Sequence, residues 1–189
     1  MVKSILLVGV GGQGTILASK LLTTGLMEAG YDVKMSEIHG MSQRGGSVSS
    51  QVRYGEKVES AVIELGGADI LVAFEKMEAL RWLEFLKPGG KVVINNYEIS
   101  PISILSGKID YPQGIIEEIS EKVDTVVIDA AGHAKDMGNS KVMNVILLGA
   151  TIKSMGLDHI DWEKIIEGNV KQQFVDINKK AFKCGANLV

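Results

Sequence analysis

The chain opens with an apolar run, which is followed by glycines and then by residues with helical periodicity. Residues 4–8 include Ile, Leu, Leu and Val without a break, which predicts a strand that is buried on both faces. Residues 15–29 place apolar side chains four positions apart, as at Leu17 and Leu21, which predicts an amphipathic helix. A strand, a glycine turn and a helix in this order are typical of the start of a nucleotide-binding βαβ unit.

Apolar runs and amphipathic stretches continue to alternate along the chain. Strands are predicted at residues 31–36, 48–54, 58–63, 70–74, 91–95 and 123–129, and helices at residues 75–86, 113–122, 141–155 and 162–182. The strands at 48–54 and 58–63 flank a Gly-Glu-Lys turn, which indicates a β-hairpin. The pattern as a whole predicts an α/β, Rossmann-like fold with a mostly parallel sheet, helices on both faces and an inserted β-hairpin.

Length and composition narrow the class of protein. No repeat or linker divides the chain, so residues 1–189 are expected to form a single domain with a C-terminal helix over residues 162–182. A net charge of −3 gives no electrostatic reason to expect binding to nucleic acid or to an anionic membrane. No apolar run reaches the ~20 residues of a membrane span, and the first residues enter a strand at once, so a cytoplasmic protein is expected.

The turn after the first strand contains the residues Gly9, Gly11, Gly12, Gln13 and Gly14. Three of its glycines match the G-x-G-x-x-G spacing. Glycine allows the tight turn and lets backbone N–H groups approach a ligand, and the start of the following helix attracts an anion. These residues are therefore assigned to a phosphate or carboxylate site, and the alternative is a tight turn that binds nothing.

A second glycine-rich, polar stretch spans residues 37–47. Glu37 stands at the end of the second predicted strand, where dinucleotide-binding folds often carry an acid that holds a ribose. His39 follows it and can donate a hydrogen bond. The residues of this stretch that are assigned to the candidate cofactor site are Glu37, Ser42, Gln43, Arg44 and Gly45. The alternative is a solvated connection in which a glycine pair makes a turn.

A third polar stretch, residues 130–140, follows another predicted strand. Ligands of open α/β sheets bind at the carboxyl ends of the strands, so His133, Lys135, Asn139 and Asn144 are candidates for the same site. The alternative is that this stretch only caps the next helix and exposes its charged residues.

The common catalytic signatures are missing from the sequence. Thr15 and Ile16 follow Gly14 where a P-loop would have lysine and serine or threonine, and there is no G-x-S-x-G elbow and no histidine pair at metal-ligand spacing. Cys184 is the only cysteine, so the chain cannot ligate an iron–sulfur cluster or a structural zinc unaided. No catalytic residue and no metal site are therefore assigned.

Two motifs together resemble a known family. Residues 9–14 read GVGGQG and residues 37–46 read EIHGMSQRGG, and their co-occurrence is more specific than a dinucleotide fingerprint alone. The chain resembles the gamma component of 2-oxoacid:ferredoxin oxidoreductases, and within that family the small (beta) subunit of indolepyruvate ferredoxin oxidoreductase. The similarity continues through residues 138–150 to Asn187 and so covers essentially the whole chain.

The resemblance implies a subunit of a thiamine-diphosphate-dependent enzyme that acts on the oxo group of a 2-oxoacid, namely indolepyruvate or another aryl pyruvate. The implied products are acyl-CoA, CO2 and reduced ferredoxin, with coenzyme A as co-substrate. Thiamine diphosphate and the iron–sulfur clusters are implied to belong to a larger partner subunit, so this chain would hold no cofactor and be inactive alone. The glycine turn and residues 42–44 are implied to contact a phosphate, a carboxylate or the partner.

Taken without the resemblance, the residues leave two other interpretations open. One is a free-standing NAD(P)-binding dehydrogenase domain, with Gly9, Gly11 and Gly14 on the pyrophosphate and Glu37 on the ribose. The other is a structural interaction module whose glycine turn is empty.

Overall fold

The computed structural model describes residues 1–39, 46–105, 107 and 110–189. The strands are β1 Lys3–Val10, β2 Asp32–His39, β3 Ser47–Gly55, β4 Ala68–Ala73, β5 Leu86–Asn95 and β6 Asp124–Ile128. The helices are α1 Thr15–Glu28, α2 Lys76–Arg81, α3 Ile102–Leu105, α4 Ile115–Lys122, α5 Ala130–Asp136, α6 Met143–Met155, α7 Trp162–Asn169 and α8 Val175–Ala186. Short 3-10 helices lie at Leu83–Phe85, Ser140–Val142 and Gln172–Phe174.

The strands form one sheet in the order β2-β3-β1-β4-β5-β6. β1, β4, β5 and β6 are parallel to one another, whereas β3 runs antiparallel to both of its neighbours, β1 and β2. The predicted mostly parallel α/β sheet is confirmed. Because β3 separates β1 from β2, the second strand of the chain is not the neighbour of the first.

Both faces of the sheet are covered, which explains the unbroken apolar run of β1. Ile5 and Leu7 pack with residues of α1, α5, α6, α7 and α8 on one face. Leu6 and Val8 pack with residues of α2 and α4 on the other. All four side chains are at most 1% exposed, as expected for a strand with helices on both sides. In the described ranges, no helix combines the length and the apolar character needed to cross a membrane.

The antiparallel pair of the sheet differs from the predicted hairpin. β3 pairs with β2, which precedes it, and residues 58–63 do not form a strand. The Arg53 guanidinium instead donates hydrogen bonds to the backbone carbonyls of Ser60 and Val62, at 3.2 and 3.1 Å. A side chain of β3 therefore satisfies carbonyl groups that a further strand would have paired. The antiparallel element is present, but the prediction of a strand at 58–63 is wrong.

Residues 75–86 and 130–140 differ in the structure from their predicted form. The helix predicted at 75–86 is helical as α2 only to Arg81, and a 3-10 turn follows it. The polar stretch 130–140 is largely the helix α5, because the Asp129 carboxylate accepts a hydrogen bond from the Gly132 N–H at 2.8 Å and caps a helix directly after β6.

The C-terminal helix predicted over residues 162–182 is two helices. α7 ends at Asn169, the next two residues have extended backbone, and α8 begins at Val175 after a 3-10 turn. The Asn169 side-chain amide donates to the Ile165 carbonyl at 2.9 Å. This bond ties the last side chain of α7 to the preceding turn of the same helix.

Asp69, at the start of β4, joins the beginnings of three adjacent strands. Its carboxylate accepts hydrogen bonds from the Lys3 ammonium at 3.1 Å, from the Ser4 N–H at 2.8 Å and from the Lys87 ammonium. Burial by itself raises the pKa of Asp69, but the hydrogen bonds from Lys87, Ser4 and Lys3 outweigh it and hold the pKa below its usual range.

Asp69 therefore makes stability depend on pH in the acid range. Its folded-state pKa is below its unfolded value of about 3.9, so its contribution is present above that value and is lost as the pH falls through the folded-state pKa. We expect Asp69→Asn to reduce the acid loss of unfolding free energy below about pH 5. Urea unfolding at a series of pH values measures this slope, and equal slopes for the two proteins would contradict the assignment.

Candidate functional site

A cleft of about 600 Å³ opens beside the glycine turn. One wall is the turn and the start of α1, and the other is formed by residues that follow β5 and residues at the start of α5 and α6. The lining residues are Gly11, Gly12, Gln13, Gly14, Leu17, Tyr97, Ile99, Ala131, Ser140, Lys141, Met143 and Asn144. The cleft lies at the carboxyl end of β1, the edge at which open α/β sheets bind ligands.

The glycine turn needs glycine for two reasons, backbone conformation and space. Gly12 and Gly14 have φ values of 103° and 82°, which residues with a side chain rarely adopt. A Cβ at Gly14 would also lie 2.5 Å from the side-chain nitrogen of Asn144. Gly14 is the N-cap of α1, and no side chain in the described part of the protein caps this helix end. The first N–H groups of α1 therefore remain available to an anion.

Gln13 fastens the turn to the sheet. Its side-chain oxygen accepts a hydrogen bond from the Val10 N–H at 2.7 Å, and its side-chain nitrogen donates to the Phe74 carbonyl at 2.8 Å. A Cβ at Gly9 would lie 2.9 Å from that same side-chain oxygen and 2.9 Å from the Phe74 Cβ. Gly9 therefore makes room for the Gln13 amide, which ties the end of β1 to the end of β4.

The opposite wall is positioned by two buried polar side chains at the ends of β4 and β5. The Asn95 side chain donates to the Phe74 carbonyl at 3.1 Å and accepts from the Ala130 N–H at 3.1 Å. The Glu75 carboxylate accepts from the N–H of Ile99, a lining residue, at 3.3 Å. These contacts hold the residues after β5 and the start of α5 in place around the cleft.

Tyr111 completes the support of this wall. Its hydroxyl donates a hydrogen bond to the Glu75 carboxylate and accepts one from the Met77 N–H at 3.1 Å. Burial raises the pKa of Tyr111, and the hydrogen bond and negative charge of Glu75 raise it further. The phenol therefore remains protonated, and it remains a donor to Glu75.

The polar groups of the cleft suit an anion. The Asn144 side-chain nitrogen donates to the Gly14 carbonyl at 3.0 Å, and its buried side-chain oxygen has no hydrogen-bond partner among the described residues. Lys141 lines the cleft and is exposed, and no aspartate or glutamate is among the lining residues that the structure describes. The helix N-terminus and the lysine both favour a negatively charged ligand. No carboxylate among the described lining residues opposes this charge.

The structure brings together part of the predicted site. Gly11, Gly12, Gln13 and Gly14 line the cleft, and Gly9 lies directly behind it. Ser42, Gln43, Arg44 and Gly45 lie outside the described residues. The Gly11 N–H donates to the Gly46 carbonyl at 2.9 Å, so the end of their stretch meets the glycine turn.

Glu37 is placed away from the cleft. It lies on β2, which β3 separates from β1, so two interstrand spacings of about 4.8 Å each lie between the two strands. Its carboxylate accepts a hydrogen bond from the Ser19 hydroxyl at 2.8 Å, and it is not among the lining residues. In a dinucleotide-binding fold the ribose-holding acid follows the strand next to β1, so this arrangement does not favour the dehydrogenase interpretation.

The third polar stretch, residues 130–140, contributes Ala131 and Ser140 to the lining of the cleft. Asn144 reaches the glycine turn, but His133, Lys135 and Asn139 are not among the residues that line the cleft. Over the described ranges, no three His, Cys, Asp or Glu side chains form a group that could hold a metal.

Seven lining residues were not predicted as site residues: Leu17, Tyr97, Ile99, Ala131, Ser140, Lys141 and Met143. The only sequence signal for Lys141 was its position at the start of a predicted helix that follows a polar stretch. Tyr97 and Ile99 follow β5 without a motif of their own, and only the sheet order brings them to the glycine turn.

Comparison with known proteins agrees with the fold. Residues 4–188 match the family described as pyruvate ferredoxin/flavodoxin oxidoreductase. The chain is 38% identical to the indolepyruvate oxidoreductase subunit IorB of Pyrococcus horikoshii, over 96% of this chain and 93% of that protein. It is 26% identical to the gamma subunit of a keto/oxoacid ferredoxin oxidoreductase from Geobacter sulfurreducens, with a TM-score of 0.73 over 98% of this chain and 97% of that one.

A larger protein contains the same fold. A 2-oxoglutarate:ferredoxin oxidoreductase from Magnetococcus marinus matches 99% of this chain over 31% of its own chain, with 21% identity and a TM-score of 0.73. The matches to proteins of similar length cover both chains almost completely and include identities above 30%. The chain therefore belongs to the pyruvate ferredoxin/flavodoxin oxidoreductase family, and it is a subunit of a 2-oxoacid:ferredoxin oxidoreductase.

Proposed function

We propose that residues 1–189 act as one gamma-type domain, the small subunit of a cytoplasmic enzyme that oxidises indolepyruvate or another aryl pyruvate. The proposed reaction consumes coenzyme A and oxidised ferredoxin and yields acyl-CoA, CO2 and reduced ferredoxin. The observation that carries this proposal is the 38% identity, along nearly the whole chain, to a protein named as an indolepyruvate oxidoreductase subunit.

The proposal assigns thiamine diphosphate and the iron–sulfur clusters to a larger partner subunit. Clusters are commonly held by four cysteine thiolates, and this chain has one cysteine, Cys184. The residues of this chain therefore do not fit a cluster. The lining residues that the structure describes are mainly glycine, apolar and amide residues, and they contain no acid–base pair. The chain is accordingly proposed to be inactive without its partner.

The role proposed for the cleft is to bind a phosphate of coenzyme A. The uncapped start of α1 offers N–H donors, and Lys141 adds a positive charge at the rim. The unpartnered Asn144 oxygen can accept from a hydroxyl or amide N–H of the same ligand. The structure of the Magnetococcus marinus enzyme is described as containing coenzyme A and succinyl-CoA. A carboxylate or the partner subunit is the alternative occupant.

Purification of the chain from native extract tests the proposal. We expect a brown complex with a larger subunit, and the complex should reduce ferredoxin when indolepyruvate and coenzyme A are both present. Pyruvate and 2-oxoglutarate serve as comparison substrates under the same conditions. A colourless protein without a partner, or full activity of the isolated chain, would overturn the proposal. Activity that is independent of coenzyme A would remove the role proposed for the cleft.

A further inference from the structure

A buried carboxylate on α2 has no part in the role proposed for the cleft. Glu78 is 3% exposed and is not among the residues that line the cleft. Burial of a charged group is costly unless hydrogen bonds replace the water that it loses. Three side chains supply these bonds and form the Glu78 cluster with it: the Ser47 hydroxyl, the Arg81 Nε–H at 3.1 Å and the Trp82 Nε1–H at 3.2 Å.

Ser47 is the member of the Glu78 cluster that connects α2 to the sheet. Arg81 and Trp82 lie at the end of α2 itself, whereas Ser47 is 31 residues away from Glu78 along the chain. Ser47 is the first residue of β3 and pairs with Val10, the last residue of β1. Because β3 runs antiparallel to β1, Ser47 lies at the carboxyl end of β1, beside the glycine turn.

The residue before Ser47 contacts the glycine turn directly. The Gly46 carbonyl accepts a hydrogen bond from the Gly11 N–H at 2.9 Å, and Gly11 lines the cleft. A series of contacts thus leads from the Glu78 carboxylate through Ser47 and Gly46 to the glycine turn. Glycines have wide conformational freedom, so each contact from outside the turn narrows the arrangements that the turn can adopt.

The same helix also supports the opposite wall of the cleft. Glu75 is the N-cap of α2, and Glu78 lies in its first turn. The Glu75 carboxylate accepts hydrogen bonds from the Glu78 N–H at 3.0 Å and from the Ile99 N–H at 3.3 Å. One carboxylate of α2 therefore holds the residues after β5, and the other holds the start of β3. The position of each wall consequently depends on α2.

We propose that Glu78 is a positioning residue of the cleft. It does not contact the ligand, and it acts through Ser47 and Gly46, which hold the glycine turn in the arrangement that binds an anion. Loss of this support weakens ligand binding and leaves the turnover of the saturated complex unchanged. The inference rests on the proposed function in one respect, because the ligand used to measure it is coenzyme A.

The first test is the ferredoxin-reduction kinetics of the purified complex. Ser47→Ala should raise the apparent KM for coenzyme A about tenfold and change kcat by less than about twofold, because it removes a hydrogen bond to a carboxylate away from the reacting groups. Ser47 is exposed, so this variant should fold. Ser47→Thr keeps the hydroxyl and should restore the wild-type KM.

Glu78→Gln should raise the same KM as Ser47→Ala does. The double variant should be no worse than either single variant, because both substitutions remove one shared contact. Glu84→Gln is the matched control, since Glu84 is an exposed glutamate just after α2 that lies outside the Glu78 cluster. Its KM should equal that of the wild type.

Hydrogen exchange of the Gly11 amide in the full chain is the second test, and it needs no ligand. Exchange should be about tenfold faster in Ser47→Ala and Glu78→Gln than in the wild type, because the acceptor at Gly46 is no longer held in place. Ser47→Thr and Glu84→Gln should exchange at the wild-type rate.

Unchanged Gly11 exchange in Ser47→Ala would overturn the inference. Faster exchange with an unchanged KM, in a complex that depends on coenzyme A, would overturn it too. A wild-type complex whose activity is independent of coenzyme A would instead remove the role proposed for the cleft, and Gly11 exchange alone would then decide whether Glu78 positions the glycine turn.

Discussion

Gly185→Ala is expected to lower the free energy of unfolding by about 3 kcal/mol or more, at the upper end of overpacking effects. A Cβ at Gly185 on α8 would lie 1.8 Å from the Ile146 carbonyl oxygen on α6. A Cβ at Gly149 on α6 would lie 2.1 Å from the Phe182 carbonyl oxygen on α8. Rotation of a side chain cannot relieve a contact with backbone, so the two helices would have to move apart and lose packing along their length.

Gly168→Ala is the matched control for this prediction. Gly168 is also a helical glycine, but a Cβ there would have nothing within 4 Å, and its φ is not positive. Alanine should therefore stabilise the protein by up to about 1 kcal/mol, because it restricts the unfolded chain and favours the helix. Urea unfolding followed by circular dichroism measures both variants. Unfolding free energies within 1 kcal/mol of each other would show that the α6–α8 contact is less tight than described.

Glu75→Ala is expected to lower the free energy of unfolding by about 3 kcal/mol or more, because it removes the acceptor of two buried donors and one partly buried donor. Glu75 is fully buried, and its carboxylate accepts from the Glu78 N–H at 3.0 Å, the Ile99 N–H at 3.3 Å and the Tyr111 hydroxyl. The first of these bonds caps α2, and the other two hold the residues after β5. The variant should therefore both lose stability and loosen the wall of the cleft that contains Ile99.

Glu98→Gln provides the comparison for Glu75. Glu98 pairs with Lys76 nearby, but its side chain is 44% exposed, and surface pairs contribute at most about 1 kcal/mol. Chemical unfolding of both variants, together with hydrogen exchange of the Ile99 amide, measures the two effects. A Glu75→Ala protein that keeps wild-type stability and wild-type protection at Ile99 would contradict the role assigned to this carboxylate.

The start of the chain could be predicted because its determinants are local. The unbroken apolar run of β1, the glycines and the i,i+4 spacing of α1 each specify their own conformation, and the structure confirms the element types. The fold class followed from the alternation of strands and helices. The functional assignment came from two motifs that resemble a family, since no catalytic group is specified by the residues alone.

Several features that the sequence did not specify depend on contacts between distant segments. The position of β3 between β1 and β2 decides that Glu37 bonds to Ser19 and lies away from the cleft, and no local pattern encodes that order. Residues 58–63 do not form the predicted strand, and the Arg53 side chain instead donates hydrogen bonds to backbone carbonyls of this segment. The break at residue 170 follows Gly168 and Asn169, a pair that is typical of turns, but the apolar spacing on both sides of this pair predicted one continuous helix.

The pairing of Gly9 with Gln13 has a consequence for how this motif can change over evolutionary time. The space that a side chain at position 9 would need is already filled by the Gln13 amide, which bonds only to backbone groups, at Val10 and Phe74. Gln13 therefore depends on no other side chain for its partners, but it does depend on the absence of one at position 9. A smaller residue at 13 would not by itself let position 9 vary, because a Cβ there would still lie 2.9 Å from the Phe74 Cβ.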